Sequence, residues 1–564
     1  MQKSISILIS AFIILLPFGL QVFDGAFREQ EIILCSCFLF LACLFGYCVF
    51  SVVKCKCICL SFSFLDLSVL LFFVYSALHL FFLKHLQVGE TLIYKWLAVF
   101  CCYVVCRILP CKNILLYAIV LSGVVQSVIV ILQKLYLLDS YNSFFDITGT
   151  FFNPGRLGGY LAVALAVTIG VLRNAVKNKL RIHVVFLSIS ALLLCIALVL
   201  SDSRAAFIGV FAGIFVCFYS EIRSVFIKRK TLFATIFFVV MVLLGLFLFN
   251  YRKGSANSRL FTWRVSTDMI CNKPVFGHGI TSFEQKYMHY QAAYFAENEN
   301  SKFISIADNV PYAYNEFIHI TVEMGILGLL FLLAIFYLAF SVKGQLYIKS
   351  ALAALLAFSF FSYPAEVFPL LLMFPVVLAQ MNSKILKTIN LSRIIAVIFC
   401  AVLLFAIYVN LKSELYFHKA SNQFPQIDEN NEQTNNYVLT HYKRLQYYPE
   451  FCKIYTIWLA NNTSENELFN ALELFPSSEN YCFFGELYIE KEMYSKAEEC
   501  FKIAALMTPN RILPNYNLFK LYQKSGDKTQ AAAMANKIIN QPIKIENTQT
   551  IRIRFEAEKY LSSP

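Results

Sequence analysis

The chain has 564 residues, 58% of them hydrophobic and only 15% charged, with a formal net charge of +13. A soluble domain carries about 25% charged residues, and no core packed in water needs so much apolar surface, so composition excludes an ordinary soluble protein and makes lipid the solvent. The surplus Lys and Arg sit mostly in short loops between apolar runs, where membrane topology explains them better than nucleic acid, which is not expected as a partner.

Residues 1–23 are apolar behind Lys3. No small-residue cleavage site follows and more spans come behind, so this reads as the first transmembrane helix rather than a secretion signal. About 20 apolar residues cross the hydrocarbon core as a helix. The runs at 4–22, 31–53, 61–83, 91–109, 113–138, 157–173, 182–200, 205–220, 232–250, 316–341, 350–363, 366–381 and 393–410 meet that need, giving thirteen spans. The short pair 350–363 and 366–381, split at Pro364, can also be one re-entrant element, which gives twelve and changes the parity. Eleven of the 18 Cys lie between Cys35 and Cys111 inside or beside these runs. They show no ligand or disulfide spacing and read as small helix- or lipid-facing residues.

Alternate loops carry the cations: Lys54 and Lys56; Arg107 and Lys112; Arg173, Lys177, Lys179 and Arg181; Arg223, Lys228, Arg229 and Lys230; Lys343 and Lys349; Lys384, Lys387 and Arg393. The positive-inside rule puts all of these, and the N-terminus, in the cytoplasm. The loops 24–30, 139–156, 201–204 and 251–315 are then outside. With thirteen spans the polar tail, 411–564, is outside too.

The tail has helical apolar spacing. Tyr481, Phe484, Gly485, Tyr488, Ala497, Phe501, Ala504 and Pro509 fit a tetratricopeptide pattern, with a weaker second copy at Leu518, Tyr522 and Ala531 and a divergent helix pair at 440–476 upstream. Such pairs bury their apolar faces only by stacking, and the stacks are recognition surfaces. A generic helical hairpin is the alternative.

Three outer segments hold the polarity. Residues 148–160, with Asn153, Pro154, Gly155, Arg156, Gly158 and Gly159, lead from a loop into a helix; they suit either tight helix packing or a ligand site. Ser203-Arg204 opens another helix. Ser203 can cap it, and a guanidinium at a helix N-terminus makes an anion site, or simply an interfacial Arg. The third is the long loop 251–315. It contains Ser258-Arg259, Trp263-Arg264, Pro274-Val275-Phe276-Gly277-His278-Gly279 and Asp308, and ends at Tyr314-Asn315. The helix that follows sets Glu316, His319 and Glu323 on one face. They form either a satisfied polar stripe or a working site.

In this order, these segments resemble the O-antigen ligase family, which includes lipopolysaccharide ligases and protein O-oligosaccharyltransferases and is related to O-antigen polymerases. The resemblance rests on G-T-F-x-N-P at Gly149–Pro154, Ser203-Arg204, Ser258-Arg259 with Trp263, P-x-x-G-x-G at Pro274–Gly279, and N-E…E-x-G-x-x-G at Asn315–Gly328. It covers roughly 145–380. It implies an all-α polytopic membrane protein of about 12–13 transmembrane helices, GT-C-like, with a soluble α-helical repeat domain at 411–564 on a transmembrane domain at 1–410.

The implied reaction transfers a glycan from an undecaprenyl pyrophosphate carrier, a lipid-linked oligosaccharide donor, to an acceptor on protein or lipid A–core. The place would be the periplasmic face of a bacterial inner membrane. The resemblance implies neither metal nor nucleotide cofactor. The departing diphosphate needs fixed cations, and guanidinium groups suit it. Arg204 and Arg259 are assigned that role, with Arg156 and Arg264 as further candidates and Asn153, Asn315, His278 and Asp308 as substrate-binding positions.

The family usually has His before the Asn of the last motif, where this chain has Tyr314. A free Tyr, with a pKa of about 10, is a poor base near neutral pH. Tyr314 then only positions the acceptor, or His319, Glu316, Asp308 or His278 takes the proton, or the activity differs from that of the His-bearing ligases. The second reading is preferred. A repeat-unit polymerase, a transporter or flippase, and a membrane scaffold working through the tail are the competing functions.

Overall fold

The computed structural model describes residues 2–18, 29–54, 58–82, 90–108, 112–228, 235, 253–391, 393–422, 472–542 and 546–562. The expected span 232–250 and most of the expected helix pair 440–476 lie outside the described residues. The membrane part begins with α1 (Gln2–Leu15), α2 (Glu29–Val53), β1 (Ile58–Ser63), α3 (Phe64–Phe82), α4 (Glu90–Ile108) and α5 (Lys112–Lys134). It continues with α6 (Pro154–Lys177), α7 (Arg181–Leu200), α8 (Arg204–Cys217) and α9 (Tyr219–Lys228). The long loop holds α10 (Lys253–Asn272) and α11 (Ser282–Glu297). Next come α12 (Glu316–Ser341), α13 (Leu346–Ser359), α14 (Phe368–Ala379), β2 (Ile385–Leu391) and α15 (Arg393–Asn422). The tail holds α16 (Ser478–Glu490), α17 (Tyr494–Met507), α18 (Leu513–Ser525), α19 (Lys528–Asn540) and α20 (Thr548–Ser562).

The chain is therefore an all-α polytopic membrane protein. Among the described residues six helices are long and apolar enough to cross a bilayer, and five shorter apolar helices accompany them. Short helices occur where the chain breaks at polar or proline residues. The expected pair around Pro364 is two helices, α13 and α14, separated by a tight turn at Pro364–Glu366. The run expected to start a span at 61 instead begins with a strand, and helix α3 starts at Phe64. Residues 58–63 alternate apolar and small polar side chains, which suits a strand. Their backbone pairs antiparallel with β2, Ser61 opposite Thr388. Below this ribbon Arg107 grips Asp66 through Nε at 2.9 Å and donates to the Ser383 hydroxyl at 2.8 Å, while the Tyr103 hydroxyl donates to Asp66 at 2.6 Å. A charge pair buried this deeply is tolerable because each group is bonded.

Small residues set the packing of the centre. A methyl at Gly209 would stand 2.9 Å from the Ala354 carbonyl oxygen, and one at Gly213 3.0 Å from that of Ser350, so α8 lies directly on the α13 backbone. α6 packs against both. Close approach of this kind is how helices associate where lipid supplies no hydrophobic drive.

The long loop and the tail share one apolar core. Phe283, Tyr287, Phe295 and Ala307 belong to the same buried cluster as Phe484, Phe501 and Met507. Polar bonds cross the seam. Gln291 Nε2 donates to the Met507 carbonyl at 2.6 Å, Asn510 Nδ2 to that of Ala307 at 2.9 Å, and Arg511 pairs with Asp308 at 2.9 Å. The loop and the tail thus stand on the same side of the membrane. Within the tail, α16 and α17 form a hairpin in which the Phe501 ring fills the space a side chain at Gly485 would need. α18 and α19 form the next, and α20 packs on α19. Cys482 and Cys500 are both free thiols.

Candidate active site

Two helix starts supply the first arginines. Asn153 caps α6, its Oδ1 accepting from Gly155 N at 2.8 Å, and Pro154 occupies the first turn, where its missing N–H costs nothing. Arg156 follows, its guanidinium carbon 5.7 Å from the centre of the Tyr363 ring. Ser203 holds the cap position of α8, but its side chain makes no capping bond. It is packed against Gly158, where a methyl would meet Ser203 Cβ at 2.3 Å. This contact fixes the start of α8, hence Arg204, beside the start of α6.

The third arginine comes from the long loop. Trp263, one turn along α10 from Arg259, donates from Nε1 to the Ala313 carbonyl at 2.9 Å and so pins α10 to the segment before α12. Arg259 lies with its guanidinium carbon 5.7 Å from the Tyr314 ring centre. Tyr314 has a left-handed φ of 52°. Its ring meets Tyr363 edge-on at 5.4 Å, and Tyr312 stacks on Tyr363 at 4.8 Å. Burial, and then the neighbouring charge of Arg204, push the Arg259 pKa below its ordinary value. Guanidinium remains charged under such shifts. Burial, and then Tyr363, raise the Tyr314 pKa, so less phenolate is available to act as a base near neutral pH than from a free Tyr. Arg156, Tyr363, Tyr314, Arg259 and Arg204 therefore form one continuous cationic and aromatic group from separate chain segments. Arg264 is exposed on α10.

A second polar centre adjoins the first. Asn315 caps α12, its Oδ1 accepting from Phe317 N at 2.9 Å and Ile318 N at 3.2 Å. That assigns Asn315 a bond within the fold. Glu316 is buried and accepts from Ala365 N, in the Pro364 turn, at 2.8 Å. One turn on, His319 Nε2 is 3.4 Å from Glu323 Oε1. The Phe283 ring stacks on the imidazole at 5.0 Å. Lys95 on α4 pairs with Glu366 at 3.1 Å. Solvent reaches Glu284, yet protein crowds it on most sides. Burial, followed by the charges of Glu366 and Glu323, pushes its carboxyl up to about 7.

Lys95, Glu284, Tyr363 and Glu366 were not among the sequence candidates. Lys95 had a signal, as a cation inside an apolar run. Glu284 had none. An apolar pocket lies between α3, α4, α12 and α14, lined by Glu316, Pro364, Phe72, Trp96, Phe317 and Leu370 among others.

The remaining motif is a backbone clamp. α12 breaks at Gly325, whose φ of 67° lies outside the helical range. Into the break comes the turn 274–279. His278 N donates to the Val322 carbonyl at 2.9 Å, Gly279 N to that of Glu323 at 2.8 Å, and Ile326 N to that of Pro274 at 2.9 Å. These bonds satisfy the backbone groups that the break would otherwise leave bare. His278 itself is buried, its Nε2 bonded to the Met269 carbonyl at 2.9 Å, and burial lowers its pKa. Asp308 pairs with Arg511 of the tail. The structure thus places His278 in the clamp and Asp308 at the tail seam. Among the described residues no group of three or more His, Cys, Asp or Glu is arranged to hold a metal ion.

The family model described as O-antigen ligase matches residues 189–333, from within α7 into the second half of α12. Over that stretch the chain is similar to the O-antigen ligase family. The matched stretch contains Arg204, Arg259, Tyr314, Glu316, His319 and the whole Gly277–Gly325 clamp. No curated protein matches the chain. The match, together with the apolar helices, supports a membrane enzyme of the glycosyltransferase kind acting in O-antigen-related glycan transfer.

Proposed function

We propose that this protein moves a glycan from an undecaprenyl pyrophosphate carrier to an acceptor hydroxyl at the periplasmic face of the inner membrane, without a metal ion. The observation that carries this reading is the gathering of Arg156 and Arg259 on the Tyr314–Tyr363 pair, with Arg204 close enough to Arg259 for its charge to act on it. Breaking the sugar–phosphate bond leaves negative charge on the diphosphate, and pre-placed guanidinium groups stabilise it with no reorganisation at that moment. The apolar pocket lined in part by Glu316 suits the isoprenoid part of the donor. His319, with Glu323 at 3.4 Å to orient it, is the group suited to take the acceptor proton. Tyr314 orients the acceptor or the leaving group by hydrogen bond. The tail, packed on the long loop beside this site, favours a protein acceptor over lipid A–core.

The test uses proteoliposomes, purified lipid-linked donor and mass analysis of the products. Arg204→Ala, Arg259→Ala and His319→Gln each lower turnover by about 10²-fold or more, while Tyr314→Phe stays within about tenfold of the parent. Full transfer by both arginine variants removes the diphosphate mechanism. Full transfer by His319→Gln alone removes only the base assignment.

A further inference from the structure

The loop 135–152, between α5 and α6, has no part in the chemistry above, yet its side chains are unusual for a loop. Tyr136 is 80% exposed, Leu137 67%, Tyr141 51% and Phe144 88%, with Leu138, Phe145 and Phe152 also exposed. Water is a poor solvent for such a set, and a contiguous apolar patch marks an interaction surface.

The backbone beneath is firmly held. Gln133 Oε1 accepts from Thr148 N at 3.1 Å and Gly149 N at 2.9 Å. Gln126 Oε1 accepts from Thr150 N at 3.2 Å, and the Thr150 hydroxyl donates to the Pro17 carbonyl at 2.7 Å. At the tip the Asn142 side chain accepts from Phe144 N at 2.8 Å and donates to the Phe152 carbonyl at 2.9 Å. This Asx turn projects Phe144. The protein thus meets these backbone bonds, while it leaves much of the apolar side-chain surface uncovered. A backbone satisfied internally with apolar side chains outward is the condition for contact with lipid.

The occupant follows from continuity. α5 is long and apolar enough to cross the membrane; its outward face shows Ile114, Leu121 and Val128 at 37%, 41% and 43% exposure, and Leu135, the first residue past its end, follows at 60%. These are seven residues apart, so they form one line along the helix. The line faces lipid, and it runs without interruption into Tyr136, Leu137 and Leu138. The loop carries two exposed carboxylates, Asp139 and Asp146. They keep it out of the hydrocarbon centre, because a charge there is costly. Tyr and Phe beside charged groups suit the boundary between headgroups and acyl chains.

We propose that residues 135–152 form a membrane-dipping loop that lies along the interface of the leaflet on the active-site face. Phe152 precedes the Asn153 cap, and Arg156 lies in the next turn. The loop therefore fixes the arginine group at headgroup depth, where a lipid-borne anion arrives by lateral diffusion. The inference rests on geometry and on the membrane reading alone, so it stands or falls apart from the transfer reaction.

The experiment reconstitutes the full chain, one copy per nanodisc, with phospholipid carrying bromine near the carboxyl end of its acyl chains. Phe144→Trp and, separately, Tyr136→Trp are read as difference spectra against the parent, which has three Trp of its own. The expected difference emission is blue-shifted and falls roughly twofold in brominated lipid, because an interfacial segment sits about 5–10 Å deep, within contact of the bromines. It resists iodide. Water-like emission quenched by iodide and not by bromine overturns the proposal. So does blue-shifted emission that neither reagent quenches, which would mean that protein covers the loop. Two positions guard against one variant failing to fold.

Discussion

Gly277 and Gly325 lie back to back. A methyl at Gly277 would come within 2.4 Å of the Glu323 carbonyl oxygen, and one at Gly325 within 2.1 Å of that of Val275. Both glycines have positive φ, 73° and 67°. Two motifs nearly fifty residues apart are therefore one joint, fastening the long loop to the break in α12 that lies two residues beyond Glu323.

Gly325→Ala consequently meets both backbone strain and a clash with main chain that cannot swing away. The expected loss is about 3 kcal/mol or more, above the 1–3 kcal/mol of conformational strain alone. Gly254, within α10, is the control, because a methyl there would meet nothing within 4 Å. Thermal unfolding in detergent should show a large drop for Gly325→Ala and none for Gly254→Ala. Equal melting of the two variants would show that the joint is loose.

The arginine group makes a sharper claim than charge alone. Arg259 lies over the Tyr314 ring and next to Arg204, an arrangement that needs a planar cation. Lysine keeps the charge and loses the stacking and the two-point grip on phosphate oxygens. Arg259→Lys is expected to retain folding and to lose about 10²-fold in turnover, close to the loss in Arg259→Ala. Near-parent turnover in Arg259→Lys would reduce the role of Arg259 to a point charge.

How much of this was legible in the sequence follows from what each kind of signal records. Helices α2, α5, α6, α7, α12 and α15 were readable because crossing lipid demands long apolar runs. Only the end of the strand, Ser61–Ser63, falls in the expected span, because the apolar run of α3 follows directly, and the strand's partner, Ile385–Leu391, lies over 300 residues away. Arg204 and Arg259 stood out as cations in polar motifs. Their meeting through Tyr314 and Tyr363 did not, since it depends on the Pro364 turn coming back over the start of α12. His278 and Asp308 carry chemistry suited to catalysis, but tertiary contacts draw one into the clamp and the other to Arg511. Glu284 was invisible because only the fold brings Glu366 and Glu323 near it.

Glu284 makes stability depend on pH. Its folded pKa, about 7, lies above the 4.5 of an unperturbed glutamate. The protonated form suits the fold, so the favourable contribution is complete below pH 4.5 and is lost as pH rises through 7. Solvent reaches the side chain, which reduces the effect to about 1 kcal/mol. Glu284→Gln removes the titration. Its melting temperature relative to the parent should rise between pH 5.5 and pH 8.5, by a few degrees or fewer, given the size of the chain. A difference that stays flat across that range would mean that the carboxyl is freely solvated.

The seam between tail and loop turns on Arg511, which pairs with Asp308 from the loop and Glu479 from α16. Asn309 reinforces it by donating to the same Glu479. Single exposed ion pairs contribute about 0–1 kcal/mol, but Arg511→Glu would set three carboxylates together and invert two attractions at once. The apolar core shared by Phe283, Tyr287, Phe484 and Phe501 keeps each part folded. The expected outcome is local, with the tail opening from the loop at a cost of about 2 kcal/mol while the membrane helices melt as before. Limited proteolysis in detergent should then cut the tail of Arg511→Glu faster than that of the parent. Because Asp308 leads to Tyr312 and Tyr314, transfer should fall in the same variant. Asp308→Arg with Glu479→Arg, added to Arg511→Glu, restores both pairings with the charges exchanged, and should recover protease resistance and transfer together. Recovery of resistance without transfer would show that the tail only rests on the loop and does not help to hold the site.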